Sequence, residues 1–72
     1  MSQVHVIVVS PEEAFDGNAE LWCAGQLMAI TVIQDGRLQL RIDPRPDGEP
    51  WLIDTDSLAL ALRDAAQRIA AY

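Results

Sequence analysis

Two residues in this chain carry side chains often recruited for catalysis, Cys23 and His5. A cysteine attacks as its thiolate, and needs a nearby base or a helix N-terminus to lower its pKa. No motif surrounds either residue, and a free cysteine more often packs as a small hydrophobe. Cys23 therefore reads as structural. One histidine and one cysteine do not make a typical zinc site.

The carboxylates Asp43, Asp47, Glu49, Asp54 and Asp56 gather around a proline-rich stretch, Asp43 to Pro50. Oxygen clusters can bind calcium, but this spacing matches no EF-hand loop. Asp54 and Asp56 have a simpler use at the start of a helix. An acid–base pair drawn from the group would need a cleft, and the sequence signals none. Asp16-Gly17-Asn18 lacks the glycine spacing and the lysine of a phosphate loop. Arg37 and Arg41, with Arg45 following, could hold an anion or an acidic partner, although Arg41 and Arg45 have carboxylates next to them to pair with. No catalytic residue, metal ligand or cofactor is expected, and the weight of the chemistry is against an enzyme.

The chain has 72 residues, a length that predicts a single small domain over residues 1–72. Half of the residues are apolar and 22% are charged, a globular composition. Eleven carboxylates oppose five arginines, giving a net charge of −6. A nucleic-acid binder usually presents a basic surface, so direct binding of nucleic acid is not expected. An acidic surface keeps a protein soluble and also suits a basic protein partner. A single cysteine excludes an internal disulfide and fits a reducing compartment. No apolar stretch approaches the roughly 20 residues that span a bilayer. A cytoplasmic protein with no membrane contact is the expectation.

The elements that position these residues are organised by a hairpin over Leu27 to Ile42. Asp35-Gly36 between two apolar runs predicts a type I′ turn, which needs positive φ at both central residues. That turn pairs Ile33 with Leu38, Thr31 with Leu40 and Ala29 with Ile42. Leu38, Leu40 and Ile42 then share a face, and Arg37, Gln39 and Arg41 take the other. Gln3 to Ser10 reads as a β-branched strand, apolar on both faces. Pro11 to Ala19 is an acidic connection with a possible helical turn over 11–15, and Phe15 is expected to fold back onto the core. Glu20 to Ala24 is a second strand, turned at Gly25. A two-residue turn there predicts Trp22 on the Leu27/Ala29 face, and Leu21 and Cys23 on the opposite one with Met28 and Ile30.

Pro46-Asp47-Gly48 is a β-turn signal. Trp51-Leu52-Ile53 is either a fifth short strand or a lid under the final helix. Asp54 is the expected N-cap of a helix reaching Tyr72, with Ile53 and Leu58 spaced as a hydrophobic staple. Leu58, Ala61, Leu62, Ala65, Ala66, Ile69 and Tyr72 form one apolar stripe at 100° per residue. Leu60 lies away from that stripe, with no evident intramolecular role.

The hairpin, the loop and Asp54-Thr55-Asp56-Ser57-Leu58 leading into Ala61-Leu62 and Ala65 together resemble HicB-type antitoxins. The resemblance covers about half the chain. It implies an analogy of fold and carries no functional residue across, because the family's aromatic and proline-glycine loop pattern and its DNA-binding extension are not reproduced.

The expected fold is α+β: a four-stranded antiparallel sheet, β-β-β-β-α, with the C-terminal helix on one face. One helix shields one side of a sheet that is apolar on both. The predicted contact surface is Leu21, Cys23, Met28, Ile30, Val32, Arg37, Arg41 and Leu60, covered by a second copy or a protein partner. Three functions fit: an accessory or regulatory interaction module, an antitoxin- or immunity-type inhibitor of a basic enzyme, and a small ligand-binding or enzymatic dimer using His5 and Cys23 at the subunit junction.

Overall fold

The computed structural model describes residues 3–7 and 11–71. Four strands and two helices follow in the order β1 (Val4–Ile7), α1 (Pro11–Phe15), β2 (Glu20–Cys23), β3 (Gln26–Gln34), β4 (Arg37–Ile42) and α2 (Thr55–Ala71). The sheet is an antiparallel meander in the order β1-β2-β3-β4. This is the expected α+β arrangement. The predicted first strand, Gln3 to Ser10, is seen over Val4–Ile7, and its residues 8–10, like Tyr72 at the end of the helix stripe, lie outside the described residues.

Two tight turns set the register. Asp35 and Gly36 have φ of 56° and 75°, the type I′ geometry that Asp-Gly favours. The predicted pairs Ile33–Leu38, Thr31–Leu40 and Ala29–Ile42 all form. Ala24 and Gly25 make a second turn of the same kind, with φ of 53° and 74°.

The decisive irregularity is a β-bulge. Leu21 pairs with Ala29 but Trp22 pairs with Leu27, so Met28 is an extra residue on β3. Such a bulge breaks strict alternation. Met28 and Ala29 are both buried, and both join the core with Leu21, Cys23 and Ala61. This corrects the expected face assignment. Leu21, Cys23 and Met28 lie under α2, while Trp22 and Leu27 move to the other side, with His5, Ile30, Val32 and Arg41 in the same ladder rows.

Helix α2 starts as its sequence predicts. The Ser57 N–H donates to Asp54 Oδ2 at 2.9 Å, and the Leu58 N–H donates to the Asp54 carbonyl at 3.0 Å. Satisfying the first N–H groups in this way is the N-cap role of aspartate. Ile53 and Leu58 both pack on the core, and Ala61 and Ala65 are buried beneath the helix. The helix lies along β1, where Ser57 Oγ accepts the Val4 N–H at 2.9 Å. Trp51 and Ile53 pack on the core, and Ile53 makes a single β-bridge, so the segment is a lid with one bridge rather than a full fifth strand. The Trp51 indole N–H donates to the Asp43 carbonyl at 2.8 Å and holds that lid down.

Phe15 does not fold onto the core as expected. It is 86% exposed, and Ala14 takes the buried position of α1. Residues 17–19 instead cross the end of the sheet, where Thr31 holds them.

Candidate functional site

The strongest candidate site is a surface rather than a cleft. It is built on β4, the strand at one edge of the sheet. Leu38, Leu40 and Ile42 point to the α2 side, as binary patterning requires. Yet α2 lies mainly over β1, at the far edge, so Leu40 is half-buried against the core while Leu38 and Ile42 stay exposed. Ile33, Leu38 and Ile42 are 49%, 41% and 60% exposed, on the side of the sheet that carries the core. Leu62, on α2, is also exposed.

The opposite side carries Trp22, Leu27, Ile30 and Val32, all half-buried. Trp22 donates its indole N–H to Glu20 Oε1 at 3.1 Å, which satisfies its polar edge. Arg37, Gln39 and Arg41 flank this group on β4. Arg41 Nε lies 3.3 Å from Asp43 Oδ1, whereas Arg37 makes no ion pair among the described residues. Arg45 Nε lies 3.1 Å from Asp47 Oδ2, an ion pair without hydrogen-bond alignment, and its guanidinium sits 5.9 Å from the centre of the Trp51 ring. The arginines beside carboxylates therefore pair locally, and exposed pairs of this kind contribute little stability.

The eight residues predicted as a contact surface are thus divided. Ile30, Val32, Arg37 and Arg41 share the outer side of the sheet. Leu60 is exposed elsewhere, over a groove between α2 and β1 that His5 and Arg63 also line. Leu21, Cys23 and Met28 are in the core. The residue type that was missed is the apolar set on β4, because the helix stripe implied full coverage of that side.

The catalytic alternatives find no geometry. His5 pairs with Trp22, and Cys23 is one position on, so the two side chains lie on opposite sides of the sheet. Cys23 is buried in the core. Among the described residues, no three of His, Cys, Asp and Glu come close enough to hold a metal ion. Asp47 Oδ1 accepts the Glu49 N–H at 2.9 Å and Asp54 caps α2, so these carboxylates serve turns and a helix end. No helix in the described residues is long and apolar enough to cross a membrane.

The chain matches no protein-family model, and no curated protein or solved structure is similar to it at the level of a match.

Proposed function

We propose that this chain is a small acidic protein-interaction module, accessory or regulatory, that works as a homodimer or bound to a protein partner. The observation that carries this reading is that Ile33 and Leu38, a cross-strand pair, and Ile42, two rungs along past half-buried Leu40, are large apolar side chains exposed on one side of β3 and β4. Clustered apolar surface of this kind marks interaction sites more often than chemistry.

Sedimentation velocity over a wide concentration range tests it. The native chain is expected to associate as concentration rises, and Leu38→Asp with Ile42→Asp to stay a folded monomer. A native chain that remains monomeric at high micromolar concentration, and is unmoved by those substitutions, refutes the homodimer form.

The net charge of −6 favours a second reading, an antitoxin- or immunity-type inhibitor of a basic enzyme. It predicts a complex with a basic nuclease whose activity the chain suppresses, weakening as salt is raised. A nuclease encoded beside this chain that keeps full activity in its presence would count against it.

A further inference from the structure

We infer that β4 pairs with β4 of a second copy, antiparallel and centred on Leu40, so that two four-stranded sheets become one continuous sheet. This rests on the interaction-module reading and names its occupant and register.

The backbone supplies the first part. The Asp35-Gly36 turn pairs Gln34 with Arg37, and Asp43 donates its N–H to the Met28 carbonyl at 3.0 Å. In an antiparallel ladder, alternate residues turn their polar groups toward one neighbour. Arg37, Gln39, Arg41 and Asp43 thus face β3. Leu38, Leu40 and Ile42 aim their N–H and C=O groups outward, where no further strand of the sheet lies among the described residues. An edge strand is commonly blunted by a proline, a bulge or a covering element. Within β4 there is no proline and no bulge, and Leu38 and Ile42 are exposed on either side of half-buried Leu40. The β1 edge differs, because α2 lies along it and Ser57 takes the Val4 N–H.

The side chains then choose the register. Sides must match, so even-numbered residues face even-numbered ones. Centring on Gln39 sets Arg37 against the partner's Arg41, and centring on Arg41 sets that residue against itself. Like charges directly opposite are destabilising. Centring on Leu40 avoids both. It places Leu40 against the partner's Leu40, Leu38 against the partner's Ile42 and Gln39 against the partner's Arg41. Arg37, which has no ion-pair partner among the described residues, then meets the partner's Asp43. Pro44, lacking an N–H, and the turn at Gly36 bound the new ladder at its ends. The outward amides and the apolar side chains belong to the same three residues, so one contact satisfies both.

The test combines charge swapping with a register-specific cross-link. Arg37→Asp alone and Asp43→Arg alone are each expected to weaken self-association about tenfold, since each sets like charges opposite at two symmetry-related places. Mixing the two variants restores association as a heterodimer, because both cross-pairs are again opposite in sign. Leu40→Cys is expected to form an intersubunit disulfide on mild oxidation, as Cα atoms about 5.5 Å apart in a hydrogen-bonded pair allow. Amide exchange supplies a readout that needs no substitution: the Leu38, Leu40 and Ile42 amides should become protected at high concentration and exchange freely on dilution. A native chain that dimerises while these amides stay unprotected and Leu40→Cys fails to cross-link uses another surface. That result overturns this register and leaves the interaction-module reading intact. A native chain that never associates overturns the homodimer itself.

Discussion

Thr31 holds Gly17 from across the sheet: its hydroxyl donates to the Gly17 carbonyl at 2.7 Å and accepts the Ala19 N–H at 2.8 Å. Thr31 is almost fully buried, the one buried polar side chain among the described residues. Its backbone N–H also donates to the Ala19 carbonyl at 3.0 Å. One residue thus pins the α1–β2 connection to β3.

Thr31→Val keeps the shape and removes the hydroxyl. It leaves a buried carbonyl and a buried N–H without that partner, which costs about 2 kcal/mol. Chemical denaturation of this variant and of Thr31→Ser, which retains the hydroxyl, checks the assignment. Equal losses in both would mean that packing of the threonine methyl, not the hydrogen bonds, matters.

Gly17 is held in a second way. Its φ is +76°, and a Cβ built there runs into the Ile33 side chain. Gly17→Ala is expected to destabilise by about 2 kcal/mol, part from backbone strain and part from the collision. Adding Ile33→Ala should relieve only the collision, so the two changes will be non-additive in a double-mutant cycle. Strict additivity would place Ile33 away from the glycine.

The bulge at Met28 makes a sharp prediction about sides. Leu21→Ala should cost about 2–5 kcal/mol, as expected for a fully buried leucine. Val32→Ala, on the outer side, should cost about 1 kcal/mol or less in the monomer. Cys23 should resist thiol reagents in the native protein and react only as urea unfolds it. Rapid labelling in buffer would return Cys23 to the surface and undo the bulge assignment.

Asp54→Ala removes the cap of α2 and should lower stability by about 1 kcal/mol, with Asp54→Asn retaining most of it. Thermal unfolding followed by circular dichroism reads this directly. Because Ser57 also holds the Val4 N–H, amide exchange at Val4 should quicken in the same variant.

Much of this fold is legible in the chain. Asp-Gly between apolar runs fixes the β3–β4 register because few residues tolerate two consecutive positive φ values. Asp54 fixes the start of α2, and the 3.6-residue stripe finds its inner side in Leu58, Ala61, Ala65 and Ile69 but extends too far, since Leu62 and Ala66 are exposed. The sides of β2 are not legible, because Leu27-Met28-Ala29-Ile30 is apolar throughout and nothing in it marks where a residue is inserted. Every side chain before the bulge is therefore assigned to the wrong surface by simple alternation. The position of α2 is hidden too. Its stripe says that it packs on a sheet, but not that it lies against β1 and leaves Ile33, Leu38 and Ile42 uncovered.

The Val4–Ser57 contact has a wider consequence. A meander whose two borders were both vacant could recruit neighbours without end and grow into a fibre. Here the helix lies along one border and takes its Val4 N–H, so a pairing at the other would extend the sheet only once. If β4 pairs as proposed, stickiness confined to a single margin would make assembly self-limiting, and let so short a polypeptide keep an adhesive strand without polymerising.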